Sequence, residues 1–100
     1  MPLKCIGSVE GIDDPGMKAF KIDGACVLVL RSDGEYFAYQ GDCPHEKTPL
    51  EDGLFDGETL TCILHLWQWD VRTGTPKGAA EAGLTAYPVE VRDKLLYVQV

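Results

Sequence analysis

The chain holds two histidines, and each lies within three residues of a cysteine. The first pair is Cys43-Pro44-His45. After sixteen intervening residues comes the second, Cys62-Ile63-Leu64-His65. A thiolate and a neutral imidazole are both good ligands for transition metals. Two short segments that each offer one of each can face one another and clamp a cofactor between them. A 2Fe–2S cluster takes four terminal ligands, two per iron, and two Cys on one iron with two His on the other is a known arrangement. A mononuclear zinc site also uses two Cys and two His. Its familiar spacing pairs the cysteines and then the histidines, whereas the order here is Cys, His, Cys, His. A Cys43–Cys62 disulfide would leave both histidines unexplained.

Charge counting shows what the mixed ligand set would do. Two ferric ions, two sulfides and two thiolates sum to zero, and the one-electron reduced form carries −1. Four thiolates would make the same states −2 and −3. An electron enters a neutral site more easily than a dianion, so histidine ligation raises the potential to about −150 to +300 mV. A neutral site is also less costly to bury.

The elements that would position these residues read as strands. Lys4 to Val9, Met17 to Ile22, Ala25 to Leu30 and Glu35 to Gln40 are short apolar or alternating runs, with Asp23-Gly24 and Ser32-Asp33-Gly34 as hairpin signals between them. Four strands so arranged predict an antiparallel meander. Residues 41–57 carry Gly41, Pro44, Pro49, Gly53 and Gly57 with little periodicity, which predicts irregular loop. Thr59 to Leu64 and Leu66 to Val71 read as strands, Gly74 to Gly78 and Ala79 to Leu84 as loop, and Tyr87 to Arg92 and Leu95 to Val100 as closing strands. Cys5 and Cys26, flanked by apolar residues in predicted strands, read as core. The expectation is an all-β scaffold, one domain over residues 1–100, whose loops present a site at one end.

Bulk properties narrow the function. Sixteen acids against nine bases give a net charge of −7. Nucleic-acid affinity comes largely from Lys and Arg, so no nucleic-acid partner is expected. An acidic surface instead steers a protein toward basic patches on other proteins. No apolar run approaches the ~18 residues of a membrane span, and Met1-Pro2-Leu3-Lys4 is not followed by a signal-peptide core. A cytoplasmic protein with no membrane partner is expected, in a compartment where cysteines serve metals more often than disulfides.

Cys43-Pro44-His45, then Cys62-Ile63-Leu64-His65-Leu66-Trp67, then Asp70-Val71-Arg72-Thr73-Gly74, together with Tyr87-Pro88-Val89-Glu90-Val91 and the last strand, resemble the Rieske ferredoxins over nearly the whole chain. The resemblance implies the Rieske iron–sulfur fold, small antiparallel sheets with two cluster-binding loops (about 41–48 and 60–68) at one tip. It implies one Rieske-type 2Fe–2S cluster with Cys43 and Cys62 on the buried iron and His45 and His65 on the outer one. It also implies that a third loop, Gly74 to Gly78 with Pro76, shields the cluster. Respiratory-complex Rieske proteins carry an extra loop cysteine pair. Glu46-Lys47 and Ile63-Leu64 stand there instead, which implies the soluble, lower-potential class. Many Rieske proteins have Gly after the second histidine. The His65-Leu66-Trp67 variant looks most like the ferredoxin component of toluene-type diiron monooxygenases.

Around the ligands, Pro44 rigidifies the first loop. Trp69 reads as core. Trp67 is open between core packing and a role in shielding the cluster or meeting a partner. Leu66, Glu46 and the Pro76 loop are the expected docking face. The reading is therefore a non-enzymatic, monomeric electron carrier. It would take single electrons from an NAD(P)H-dependent flavoprotein reductase and pass them to an oxygenase hydroxylase component, a diiron aromatic or alkene monooxygenase. The alternatives are the ferredoxin of a Rieske aromatic-ring dioxygenase, a zinc-stabilised interaction module and a small subunit of a larger reductase.

Overall fold

The apolar run that begins at Ala25 is the strand on which the other layers rest. The computed structural model describes residues 3–22, 24–42, 49–63, 66–78, 80 and 82–99. Within these the strands are β1 (Lys4–Ser8), β2 (Gly16–Ile22), β3 (Ala25–Ser32), β4 (Glu35–Gln40), β5 (Leu54–Phe55), β6 (Thr59–Thr61), β7 (Gln68–Asp70), β8 (Pro76–Lys77), β9 (Ala86–Tyr87), β10 (Val89–Arg92) and β11 (Leu95–Val98). They form three antiparallel sheets, in the orders β1-β11-β10, β2-β3-β4-β9 and β5-β6-β7-β8.

Val27, Leu28, Val29 and Leu30 are all fully buried. Successive strand side chains point to opposite faces, so β3 feeds two cores at once. Leu28 and Leu30 pack with Tyr39, Leu60, Trp69 and Val71, which draws the β5–β8 sheet onto one face. Val27 and Val29 pack with Ile12, Ala38, Leu96 and Val98, which draws the terminal sheet onto the other. A strand covered on both sides needs a continuous apolar run rather than alternation.

The all-β expectation holds. The strands read over Thr59 to Leu64 and Leu66 to Val71 are shorter, and the one read over Tyr87 to Arg92 breaks at Pro88 into β9 on the middle sheet and β10 on the terminal one; three further details differ from the sequence reading. First, β1 pairs with β11 at the far end of the chain, not with β2. The meander therefore begins at β2. The turn after Val9 carries the chain away, leaving Ile6 to pack on the Leu96–Val98 side of the core. Second, Cys5 is exposed, not core. With Ile6 turned inward, alternation turns Cys5 outward on an edge strand. Cys26 is half-buried rather than fully enclosed. Third, two stretches read as loop contain short strands, β5 and β8. They are recruited because β6 and β7 each have an open edge to satisfy.

The β5–β8 sheet is a local meander pinned to the middle sheet. Ser32 Oγ donates to the Gly57 carbonyl at 2.7 Å in the β5–β6 turn. Arg72, after β7, forks onto Glu35 and Asp33 at 2.7 and 2.9 Å. The latter pair is exposed and contributes little to stability. The β5–β6 turn is closed by Asp56, whose carboxylate accepts the N–H groups of Thr59 at 2.7 Å and Glu58 at 2.9 Å.

Those two hydrogen bonds, Thr59's foremost, hold the Asp56 carboxyl below the usual carboxylate range. A pKa lowered by folding stabilises the fold above the unfolded value of about 3.9, and that contribution is lost as pH falls through the folded value. Asp56→Ala is expected to cost about 0.5–1 kcal/mol near pH 7 and nothing below both pKa values. Urea unfolding of wild type and variant at stepped pH should show the two midpoints converging on acidification.

Candidate metal centre

Cys62 stands at the neck of a hairpin. The β6–β7 ladder runs Thr59↔Asp70, Leu60↔Trp69, Thr61↔Gln68, and the Cys62 N–H then donates to the Trp67 carbonyl at 2.8 Å. Leu60 and Cys62 share the inward face, and Thr61 points outward, where its Oγ1 accepts from Gln68 Nε2 at 3.2 Å. The Cys62 side chain, 2% exposed, lies in the apolar cluster with Leu50, Trp67 and Trp69. Ile63 and Leu66, next to this pair in the chain, are exposed.

A second neck lies beside it. The Gly41 N–H donates to the Cys26 carbonyl at 2.9 Å, and the Leu50 N–H donates to the Gly41 carbonyl at 2.8 Å. Asp42 and Pro49 form a bridge between these bonds and the segment 43–48. Two glycines make this closeness possible. A Cβ on Gly41 would lie 2.2 Å from Cys26 Sγ, and one on Gly53 would lie 2.2 Å from the Thr61 carbonyl oxygen. The short 3-10 turn Leu50–Asp52 can therefore cross against β6, and Leu50 joins Cys62 and Trp67 in one cluster. Both necks thus share a common apolar base.

Of the predicted ligands, Cys62 is described and buried at that base. Cys43, His45 and His65 lie outside the described residues, as do Pro44 and Glu46. Leu66 is exposed, as a docking residue must be. Trp67 is 8% exposed and meets Trp69 edge to face at 6.2 Å between ring centres. That burial leaves its ring little surface to offer a partner. Pro76 is exposed but sits within β8 opposite Trp69. The hairpin register places Gly78, two residues on, nearer the Cys62–Trp67 neck, and Ala80 packs against the same cluster.

Sequence reasoning missed two supports. Tyr39, in β4 opposite Leu28, donates its buried hydroxyl to the Val71 carbonyl. Burial first, and Asp70 second, push that phenol's pKa up, so it stays a donor. Trp69 Nε1 donates to the Ala82 carbonyl at 2.7 Å. The two bonds fix the connections on either side of β8. Tyr39's place in the aromatic-rich run Glu35–Gln40 was a signal for its burial, but nothing in sequence named its acceptor.

A buried thiol in apolar surroundings fits a metal-bound thiolate, because a neighbouring cation offsets the cost of burying the anion. A base shared with the neck that flanks Cys43 in sequence fits a cofactor gripped from two sides. The sequence pattern of the Rieske [2Fe–2S] domain matches residues 3–88. The chain belongs to this family. Its cofactor is a Rieske-type 2Fe–2S cluster, which sets aside the zinc reading.

Similar proteins include the ferredoxin component of an alkene monooxygenase system from Xanthobacter autotrophicus Py2. It is 32% identical over 84% of this chain and 70% of its own length. The biphenyl dioxygenase ferredoxin subunit of Pseudomonas sp. KKS102 is 35% identical over 72% of this chain and 68% of its own. Among solved structures, the ferredoxin of carbazole 1,9a-dioxygenase from Nocardioides aromaticivorans IC177 superposes with a TM-score of 0.86 at 28% identity, over 98% of this chain and 97% of the other. The terminal oxygenase of the same system shares the fold, with a TM-score of 0.82 at 24% identity, over 96% of this chain and 29% of that much longer one.

Gly41→Ala is expected to open the first neck. Overpacking of this kind costs about 1–3 kcal/mol, and the iron content per chain should fall with the unfolding midpoint. Tyr39→Phe leaves the Val71 carbonyl unsatisfied and should cost about 1–2 kcal/mol with the cluster's visible absorption retained. Iron assay and thermal unfolding of the two purified variants measure both effects.

Proposed function

We propose that this chain is one domain acting as a one-electron carrier of a multicomponent oxygenase. It takes electrons from an NAD(P)H-dependent flavoprotein reductase and delivers them to an oxygenase component, without performing catalysis itself. The observation that carries this reading is the kinship with ferredoxin components over most of both chains, set on a scaffold whose two loop necks converge on buried Cys62.

In this reading Cys43 and Cys62 hold the inner iron and His45 and His65 the outer one. The bound cluster supplies reversible one-electron chemistry. The protein's own part is positional and dielectric. Leu50, Trp67 and Trp69 keep water from the thiolate side, and the paired necks hold the ligand segments in register so that little rearranges on reduction. A carrier of this kind works through short-lived contacts, and redox interfaces are typically small.

Two observations bear on the oxygenase class. The His65-Leu66-Trp67 variant and the alkene monooxygenase relative favour a diiron hydroxylase acting on an aromatic or alkene hydrocarbon. The biphenyl dioxygenase relative favours a Rieske ring-hydroxylating dioxygenase equally. The protein, reduced anaerobically, would be mixed with each class of oxygenase from its own organism while stopped-flow absorbance follows cluster reoxidation. Fast transfer to the diiron enzyme alone assigns the first class, and fast transfer to the dioxygenase alone assigns the second. Transfer to neither overturns the carrier reading. Cys62→Ser should abolish the visible absorption of the cluster, and retention of a wild-type spectrum would remove Cys62 from the ligand set.

A further inference from the structure

Exposed large apolar side chains are few among the described residues, and three of the five are gathered at one place. Leu54, Ile63 and Leu66 are 66, 49 and 64% exposed. Leu54 pairs with Thr61 across β5 and β6, and directly opposed residues share a sheet face. Thr61 faces out beside Gln68. Leu54 therefore stands on the outer face of the β5–β8 sheet. Ile63 and Leu66 project from the same edge, on the loop that Cys62 and Trp67 close.

Leu66 is unusual in a second way. Its φ is +56°, a left-handed conformation that glycine adopts freely and bulky residues resist. The other described non-glycine residues with positive φ are Asp33, Asp93 and Lys94, all in hairpin turns. An apolar side chain held in a disfavoured backbone conformation and left in water gains nothing from folding. Strain of this kind is retained where it serves a function.

Acids stand beside this patch. Glu51 and Asp52 lie exposed on the turn that leads into Leu54. Asp56, Glu58 and Asp70 stand toward the opposite end of the sheet, at the β5–β6 turn and beside Thr59. Lys77 shares the outer face, where its Nζ donates to Thr59 Oγ1 at 2.9 Å. The apolar patch thus has an acidic flank at Glu51 and Asp52.

We propose that Leu54, Ile63 and Leu66 form the anchor by which this protein docks its oxygenase component, on a shallow apolar site bordered by Lys and Arg. This rests on the carrier reading above and adds the contact surface and the partner's chemistry. The acids speed encounter and the apolar side chains hold the complex. In such an interface, border charges act on the association rate and its salt dependence, and desolvated anchors act on the dissociation rate.

The test uses the cluster-loaded protein and the oxygenase from the same organism that reoxidises it, with binding kinetics measured alongside electron transfer. Leu54→Ser and Leu66→Gly should each raise the dissociation rate about tenfold, as loss of a buried leucine contact implies, with the association rate little changed. Glu51→Lys with Asp52→Lys should slow association and flatten its dependence on salt. Leu66→Gly keeps a backbone that suits glycine. Leu54 lies outside both ligand loops, so its variant should retain the wild-type reduction potential and EPR spectrum. Leu95→Ser, at an exposed apolar position on the terminal sheet, should bind as wild type. Unchanged dissociation for both leucine variants overturns the proposal while wild-type transfer leaves the carrier reading standing, as does equal weakening by Leu95→Ser. If the wild-type protein reduces no oxygenase, both readings fall.

Discussion

Four consecutive buried residues, Val27 to Leu30, set the constraint on which the rest of the structure depends. Because β3 is dry on both faces, each outer sheet is held by half of its side chains. Loss of one layer would expose the other's support to water. The metal centre inherits its rigidity from this arrangement. Leu28 and Leu30 press on the same cluster that contains Cys62, Leu50 and Trp67. The base of the site is thus continuous with the core of the protein.

From that base outward, the character of the interactions changes. The necks are backbone hydrogen bonds between nearby residues, made possible where glycines let chains pass at distances no side chain would allow. Beyond the necks, apolar side chains emerge into solvent among carboxylates. Rigidity below and exposed chemistry above suit a protein that must change charge by one unit and then leave its partner.

Most of the scaffold was legible because strands advertise themselves through alternation and turns through Asp-Gly pairs. The Glu35–Gln40 strand is recovered without change. The paired Cys–His spacing, likewise, is a chemical requirement written directly in residue order. What escaped was pairing between distant segments. Nothing in Lys4–Ser8 states that its neighbour is Leu95–Val98, since that choice is made by burial on the far side of β3. Cys5 was misplaced for the same reason. An apolar neighbourhood in sequence does not say which face turns inward. Trp67 was left between two roles because its sequence position does not state its burial, which the edge-to-face contact with Trp69 makes plain. Strands of two residues, such as β5 and β8, carry too little pattern to be read at all. They exist because a neighbour's edge needs covering.

The pairing of β1 with β11 sets Lys4 opposite Val98. The two ends of the fold therefore leave it side by side. A unit built this way can be grafted into a surface turn of a larger polypeptide with both seams at one spot and every sheet intact. The same fold occupies under a third of a much longer terminal oxygenase chain, as such portability allows.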